Sequence, residues 1–389
     1  MNELPYDAAR KEIQELAGQM REVPETVDGV MKLIADRLGN AVGGLRVDYK
    51  KIFGQIAPEI AEFSGMVRRA GEVLPEKIRY YTHPVSRETI KYVSGEVHDV
   101  LIWSRCLGLI PLGVLKKLKG AKIVSVGASA AMGTLDMLGA LGVRNIDVVD
   151  FDEQSGSKTP LYPGGSVWNI GRKKAQVAVE GLYLRNPDGK YRWFGGMAVK
   201  GVDESGTLPQ ITFDELIPKS TKVVVEAVDA SWVKDQLRVW MRRQGWEQAL
   251  LVMPADVSWP YVGFENLVTG YGYNQRIRAE YRKQMSQGPK QKLEVMRDVW
   301  LMIEKDFGID HQVEFILAAL EVIPFWTQHP IASRETAGIV GRGIVWENLG
   351  KSWAGQNVHP NMVPRSLGFK YDGETGKKVS ELLRMVLKV

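Results

Sequence analysis

Glycines and acidic residues lie at intervals that suit the binding of a phosphorylated nucleotide. The turn Gly127–Gly133 (GASAAMG) follows one apolar run, and Asp150 and Asp152 end the next. A turn between a strand and a helix offers backbone N–H groups to phosphate, and an acid after the next strand can bind ribose hydroxyls. The turn is not GxGxxG, because Ser129 occupies the position of the second glycine. These residues alone suit NAD, FAD, S-adenosylmethionine or ATP.

The elements that must position these residues form a βαβ unit. The run KIVSVGA from Lys122 predicts a buried parallel strand, Gly133–Leu141 a helix, and Asn145–Phe151 a second strand. Further elements are expected downstream: a helix at Lys173–Tyr183 and buried strands at Thr221–Ala227 and Ala249–Met253. The pattern predicts an α/β fold with a doubly wound, Rossmann-like, mostly parallel sheet.

The first hundred residues have a different, helical pattern. Apolar residues recur three and four apart in Ala8–Met20, Val27–Leu38 and Asp48–Ala70. We expect a helical N-terminal module, and a structural or dimer-forming cap is its simplest role. Helices are also expected near the C-terminus, at Ile277–Lys305, His311–Val322, Thr336–Leu349 and Val379–Leu387.

Composition narrows the class of protein. The chain has 389 residues, enough for two domains, and 51 Lys and Arg against 46 Asp and Glu. That net charge of +5 is too small to indicate a nucleic-acid partner. The single cysteine, Cys106, excludes an intrachain disulfide framework and a CxxC zinc site. No apolar signal or membrane-spanning run is visible, so we expect a cytoplasmic protein without a membrane partner.

Four motifs in order make the nucleotide assignment more specific. VDFD at Val149–Asp152 is followed by eighteen residues and then by GRKKA at Gly171–Ala175. This run resembles the ThiF/MoeB/HesA-like adenylating enzymes, relatives of the ubiquitin-activating enzymes. The approach from Ile102, the strand VVVEAVDA at Val223–Ala230 and the helix Ala337–Lys351 resemble the same family. The resemblance covers roughly residues 100–260 and 335–375.

The resemblance implies a reaction in which ATP and a carboxylate form an acyl-adenylate and pyrophosphate. By the match, Asp150 would hold the ribose, Lys174 the phosphates and Asp229 the Mg²⁺. Arg105 matches an arginine that the family sends across a homodimer interface to the partner's triphosphate. The residues implied to bind nucleotide are Gly127, Ser129, Gly133, Asp150, Asp152, Lys158 and Lys174. The partner would be a carboxylate on a small carrier protein, a peptide or a small acid.

The resemblance also divides the chain. Residues 1–100 would be the helical module, 101–260 the ATP-binding adenylation domain, 261–334 a helical insertion on the substrate side, and 335–389 the C-terminal part of the adenylation domain. In the insertion, the basic residues Arg276, Arg278, Arg282 and Lys283 could guide an acidic peptide, or form one solvated helix face.

Each implied residue also has a purely structural alternative. Lys174 could be a solvated lysine at a helix start, Asp150 a strand-end cap, and Asp229 the N-cap of a helix from Ser231. Arg105 could be an ordinary surface arginine. Lys158 could be a loop lysine. Cys106 could act as a nucleophile, but it lies in the apolar stretch CLGLIPLG, where it would be a small buried apolar residue with a raised thiol pKa.

Departures from the family pattern leave the activity open. Leu161 stands where the family has an arginine, Lys158 where it has an asparagine, and Ala230 follows the metal-binding aspartate instead of asparagine. A lost arginine weakens stabilisation of the transferring phosphate, which Lys158 could partly replace. A thioester cysteine is also missing from residues 256–330. The alternatives are a degenerate scaffold that binds a peptide or protein without ATP turnover, and an NAD-linked Rossmann enzyme.

Overall fold

The computed structural model describes residues 4–42, 53–72, 77–82, 87–107, 110–158, 165–199, 208–245, 249–255, 261–265, 330–348, 357–358 and 384. The chain divides into two compact units. Unit 1 comprises residues 1–120, 139–144 and 182–189, and unit 2 comprises residues 121–138, 145–181 and 190–389.

Unit 1 consists of helices and a hairpin. Its elements are α1 (Leu4–Gln19), α2 (Val27–Val42), α3 (Ala57–Glu72), β1 (Ile78–Thr82), β2 (Thr89–Val93), α4 (Glu96–Trp103) and α5 (Leu112–Gly120). The strands β1 and β2 pair in antiparallel register, with Ile78 opposite Val93. The buried apolar faces of α1, α3, α4 and α5 form one core that includes Ile13, Phe63, Val97, Trp103 and Leu115.

Unit 2 is an α/β sheet domain. Its elements are β3 (Lys122–Val126), α6 (Met132–Ala140), β4 (Asn145–Val149), α7 (Lys174–Arg185), β5 (Lys190–Phe194), β6 (Met197–Val199), β7 (Gln210–Thr212), α8 (Phe213–Leu216), β8 (Thr221–Glu226), α9 (Ser231–Arg243), β9 (Leu250–Ala255), β10 (Tyr261–Glu265), α10 (Pro330–Asn348) and β11 (Asn357–Val358). The helices α6 and α7 end in segments that belong to unit 1.

Among the described residues, the main sheet has seven strands in the order β11-β10-β9-β8-β3-β4-β5. The five strands from β9 to β5 are parallel, whereas β10 and β11 pair in antiparallel fashion. The central strands β3 and β8 are largely buried on both faces, as expected for parallel strands covered by helices. The core on one face includes Val124, Val224, Leu237 and Trp240.

The predicted α/β fold class is confirmed, because the main sheet is mostly parallel and helices connect its parallel strands along the chain. The predicted strands at 122–128, 145–151, 221–227 and 249–253 and the helices at 133–141, 173–183 and 336–349 correspond to β3, β4, β8, β9, α6, α7 and α10. The expected helices at 277–305, 311–322 and 379–387 lie outside the described residues, except residue 384.

The expectation of helices throughout residues 1–100 was wrong at one place. Residues 78–93 contain the β1–β2 hairpin, which the helical interpretation did not include. Its two strands are only five residues long, and β1 (IRYYT) has no regular apolar alternation, so the pattern carried little signal. The division into four domains drawn from the sequence stays a prediction.

Candidate nucleotide site at the carboxyl edge of the sheet

The site lies where the sheet changes direction. From β3 the chain passes to β4 and β5 on one side, and it later returns to β8 and β9 on the other. The last residues of three strands are in register, because Val126 lies opposite both Val149 and Glu226. In open parallel sheets, ligands bind outside the carboxyl ends of the strands at such a switch point. The connections after β3, β4 and β8 therefore define the candidate site.

Gly127 forms the tight turn after β3, and its conformation requires glycine. Its φ is +92°, and its N–H donates to the Val149 carbonyl over 2.8 Å. A Cβ atom there would lie 2.5 Å from the carbonyl oxygen of Ala227, the residue after β8. Both the positive φ and the close backbone approach exclude other side chains. The turn after β3 consequently packs directly on the segment that leads to Asp229.

Asp150 fixes this turn through its carboxylate. Oδ2 accepts a 2.7 Å hydrogen bond from the Ala128 N–H, and Oδ1 accepts one of 2.8 Å from the Asp152 N–H. Burial raises the pKa of Asp150, while nearby Lys174 and these two backbone donors oppose the rise. The structural alternative for Asp150 is therefore supported: the carboxylate caps the turn whether or not it also binds ribose.

Lys174 begins α7 and is not a solvated charge. Its side chain is 8% exposed, and its Nζ lies 2.7 Å from Oδ2 of Asp152, whose side chain is 48% exposed. The Lys174 N–H also donates to the Asp152 carbonyl over 3.0 Å. The alternative of a solvated helix-start lysine was wrong. The pair places a buried cation at a helix N-terminus, with a carboxylate that reaches water.

The connection from β4 to α7 is held by backbone pairing. The Gln154 N–H donates to the Arg172 carbonyl over 2.8 Å, and the Gly171 N–H donates to the Gln154 carbonyl over 2.9 Å. The side-chain amide of Gln154 is buried with no hydrogen-bond partner in the described part of the chain. Lys158 ends a short 3₁₀ turn in this connection, and its side chain lies outside the described residues.

Asp229 lies in the four-residue connection Ala227–Ala230 between β8 and α9, and it is exposed. The N-cap of α9 is Ala230, and the cap makes no side-chain hydrogen bond. The alternative that Asp229 caps this helix was therefore wrong. Its carboxylate offers oxygen atoms, which are the ligands that Mg²⁺ prefers.

The other residues of the predicted turn serve packing. A Cβ atom on Gly133 would lie 3.0 Å from Cβ of Ala337, so this glycine allows α6 and α10 to approach closely. The Ser129 carbonyl accepts a 3.2 Å hydrogen bond from the Met132 N–H at the start of α6. Of the predicted residues, Gly127, Asp150, Asp152 and Lys174 come together, with Asp229 following the adjacent strand.

Arg105 and Cys106 follow α4 and belong to unit 1. Arg105 is exposed, so the surface alternative stays open. Cys106 is half-buried against the apolar core of unit 1, and burial raises the pKa of its thiol. A raised pKa favours the unreactive thiol, as its apolar sequence context predicted.

Sequence reasoning missed a buried charge cluster beside this site. Glu226, the last residue of β8, pairs with Lys234 and Arg238 of α9, and all three are buried. The signal in the sequence is an acid at the end of an apolar strand, followed by two cations four residues apart on the next helix.

Among the described residues, no group of three or more His, Cys, Asp or Glu side chains is placed to hold a metal ion. No described helix is long and apolar enough to cross a membrane.

Comparison with known proteins supports the class that the site indicates. Over 92 residues, 37% are identical to the probable adenylyltransferase/sulfurtransferase MoeZ of Mycobacterium tuberculosis, in both strain CDC 1551 and strain H37Rv. This match covers 23% of the chain and spans about a quarter of the length of these relatives (24%). The predicted resemblance to ThiF/MoeB/HesA-like adenylating enzymes is thus confirmed by sequence similarity. No protein-family model matches the chain.

Three solved structures from E. coli are similar to part of this chain. MccB is 13% identical, with a TM-score of 0.44 over 69% of this chain and 66% of its own. A structure of MccB with ATP is 14% identical, with a TM-score of 0.41 over 66% of this chain and 63% of its own. The tRNA N6-threonylcarbamoyladenosine dehydratase TcdA is 19% identical, with a TM-score of 0.33 over 40% of this chain and 61% of its own. At these scores the structural likeness adds no argument to the sequence match.

Proposed function

We propose that the protein uses ATP to adenylate a carboxylate, forming an acyl-adenylate and releasing pyrophosphate. The observation that carries the proposal is the arrangement of Gly127, Asp150 and the Asp152–Lys174 pair at the switch point of the sheet. The sequence similarity of the chain to an adenylyltransferase favours ATP over the other nucleotides that a Rossmann-like turn suits. The substrate is a carboxylate on a small carrier protein, a peptide or a small acid.

The chemistry requires little covalent participation by the protein. A carboxylate oxygen of the substrate attacks the α-phosphorus of ATP, and the bond from that phosphorus to the bridging oxygen breaks as pyrophosphate leaves. Catalysis of such a transfer rests on positioning and on neutralising negative charge. Mg²⁺ would supply part of that neutralisation when bound.

The residues of the site fit these tasks. Lys174 would contact the phosphates, exchanging its bond to Asp152 for bonds to phosphate oxygens, since Asp152 can turn to water. Asp150 would accept from the ribose through the lone pairs that its two backbone donors leave available. Asp229 would hold Mg²⁺, because its exposed carboxylate is not used as a helix cap. Lys158 would add positive charge in place of the family arginine that Leu161 replaces.

The proposal includes no covalent intermediate on the enzyme. Cys106 is the only cysteine in the chain. Burial raises the pKa of its thiol, so little thiolate is present at neutral pH. The activated acyl group would instead pass directly to a nucleophile from the substrate or a partner.

We also propose a homodimer in which Arg105 serves the neighbouring subunit's site. The support is the match of Trp103-Ser-Arg105 to the family's interface arginine, together with the exposure of Arg105. The test mixes Arg105→Ala chains with Asp229→Ala chains, since one site of each mixed dimer would have both residues. Tight ATP binding should return in a fraction of the sites. A monomer by sedimentation velocity, or no recovery, would contradict the dimer proposal.

Calorimetry with ATP and MgCl₂ tests the nucleotide assignment. The protein should bind ATP more tightly than NAD, and Lys174→Ala should weaken ATP binding by about ten- to a hundredfold, as expected for loss of charged hydrogen bonds. Lys173→Ala is the matched control, because the Lys173 Nζ lies 3.2 Å from Glu153 in the same connection. A higher affinity for NAD than for ATP would contradict the assignment to adenylation.

The degenerate scaffold remains the second candidate function. The missing arginine at Leu161 and the serine in the glycine turn favour it. In that case the protein would not exchange pyrophosphate into ATP in the presence of the carboxylate, while the fold stayed intact. ATP–pyrophosphate exchange therefore separates the two functions.

A further inference from the structure

The connection that carries Asp229 is fixed at both ends by one buried charge cluster. Glu226 ends β8 immediately before the connection, and α9 begins immediately after it. Oε1 of Glu226 pairs with Lys234 in the first turn of α9, and Oε2 accepts from Nη1 of Arg238 over 3.1 Å, one turn later. We call Glu226, Lys234 and Arg238 the β8–α9 clamp.

The clamp performs a task that the helix cap does not. Ala230 at the N-cap offers no side-chain acceptor, so the start of α9 is not fixed by the usual capping hydrogen bond. Nη1 of Arg238 also donates to the Lys234 carbonyl over 2.9 Å, which ties the first two turns of the helix together. The first two turns of α9 are thereby tied to the end of the strand, and only four residues lie between them.

The same connection supports the glycine turn. The Ala227 N–H donates to the Val126 carbonyl over 2.8 Å, which continues the β3–β8 pairing beyond Glu226. A Cβ atom on Gly127 would meet the Ala227 carbonyl and the Val228 nitrogen at 2.5 and 2.9 Å. A shift of a few tenths of an ångström at Ala227 would therefore displace Gly127 as well as Asp229.

Stability alone does not account for these charges. Glu226 and Arg238 are fully buried, and the desolvation of a buried ion cluster generally offsets its attraction, so apolar residues of similar volume stabilise a protein as well or better. We infer that the β8–α9 clamp positions Asp229 for Mg²⁺, with Glu226 as the positioning residue. This inference rests on the proposed function.

The test replaces the clamp by apolar residues of similar size, in the triple variant Glu226→Leu/Lys234→Met/Arg238→Met. ATP affinity is measured by calorimetry in MgCl₂ and in EDTA, and the ratio of the two affinities gives the Mg²⁺-dependent gain. The triple variant should fold and lose about tenfold or more of the gain, because displaced metal ligands cost heavily. Any loss of affinity that a shifted Gly127 turn causes without Mg²⁺ cancels in the ratio. A merely structural cluster would change the melting temperature and leave the gain unaltered.

A second buried ion pair of the same sheet provides the control. Nζ of Lys122 lies 2.6 Å from Oδ2 of Asp147, and both side chains are buried, but Lys122 begins β3 at the opposite end from the site. The exposed Arg192 also donates to Asp147, so its guanidinium stays in water when the carboxylate is removed. Lys122→Met/Asp147→Leu should leave the Mg²⁺-dependent gain as in the unmodified protein. Glu226→Asp, which keeps all three charges but shortens the carboxylate by one methylene, should give an intermediate gain.

The outcomes are distinguishable. If the unmodified protein binds no ATP, the proposed function is wrong and the inference falls with it. If it binds ATP with a gain that the triple variant fully retains, only the inference is overturned. Should the triple variant not fold, Glu226→Asp decides, and an unchanged gain in that variant overturns the inference.

Discussion

Two buried carboxylates, one in each unit, are each held by two cations, yet their surroundings differ. Glu226 pairs with Lys234 and Arg238, whose side chains are 5% and 0% exposed. Asp99 of α4 pairs with Lys119 at 2.5 Å and Arg144 at 2.7 Å, whose side chains are 34% and 16% exposed. Water therefore solvates the cations around Asp99 in part, whereas it does not reach those around Glu226.

The two clusters also connect different parts of the chain. The β8–α9 clamp spans a connection of four residues, so it constrains the local geometry around Asp229. The Asp99 cluster joins α4 to the end of α5 and to the segment after α6, and Arg144 further approaches Asp188, after α7, at 3.8 Å. It thereby connects four segments of unit 1: α4, the end of α5, and the segments after α6 and α7. Of these two clusters, one thus acts on the local geometry of a short connection, and the other on segments that are distant along the chain.

The largest expected effect separates the two clusters directly. Glu226→Gln should lower the free energy of unfolding by about 3–5 kcal/mol, because it leaves two buried cations without their carboxylate. Asp99→Asn should cost less, about 1.5–3 kcal/mol, since Lys119 and Arg144 reach water. Urea unfolding of both variants measures the difference. A larger loss for Asp99→Asn would show that solvent access to the cations is not the deciding factor.

The next effect concerns the turn that packs on the clamped connection. Gly127→Ala adds a Cβ that would lie 2.5 Å from the Ala227 carbonyl, in a residue with φ of +92°. We expect a loss of about 1–3 kcal/mol in stability, together with weakened ATP binding. Gly181→Ala within α7 is the control, because that Cβ meets no atom within 4 Å. It should stabilise the helix by about 0.5–1 kcal/mol. Equal melting temperatures for the two variants would contradict the strained turn.

The sequence predicted those parts of the site that depend on local pattern. The runs that became β3 and β4 are continuous and apolar, and Gly127 and Lys174 follow from their spacing to the next elements. The β8–α9 clamp was not predictable in the same way, because its geometry requires that α9 fold back over β8. The pairing of Asp150 with the Ala128 N–H likewise depends on the adjacency of β3 and β4, which only the strand order fixes.

A smaller expected effect is a pH dependence of stability that arises in unit 1, beside the Asp99 cluster. His98, beside Asp99 in unit 1, is buried. Burial lowers the pKa of His98 and nearby Arg144 lowers it further, while Asp99, Asp188 and the Arg185 carbonyl act in the opposite direction. The ring of Tyr92 packs edge-on against it, with centroids 5.7 Å apart. The folded protein therefore keeps this imidazole neutral.

The sign of the pH dependence follows from that lowered pKa. Below about pH 6.5 the unfolded chain protonates His98 while the folded chain does not, so stability falls as the pH drops through this range. The loss ends once the pH is below the folded-state pKa. His98→Gln should flatten this part of the profile, measured as melting temperature from pH 7.5 to 5. An unchanged slope in the variant would assign the dependence to other groups.

The smallest expected effect is at Cys106, and it tests the direct transfer of the acyl group. The thiol is half-buried, its Sγ lies 4.0 Å from the Ile102 carbonyl, and burial raises its pKa. Cys106→Ala should cost about 1 kcal/mol or less in stability, because the site is only partly buried. ATP affinity should be unchanged, and iodoacetamide should alkylate the unmodified thiol slowly at pH 7, since the thiolate is the reactive form. Once the carboxylate is identified, product formation should also survive the substitution. A variant that binds ATP normally but forms no product would show instead that the acyl group passes through Cys106, and unit 1 would then contribute a reacting group to the chemistry.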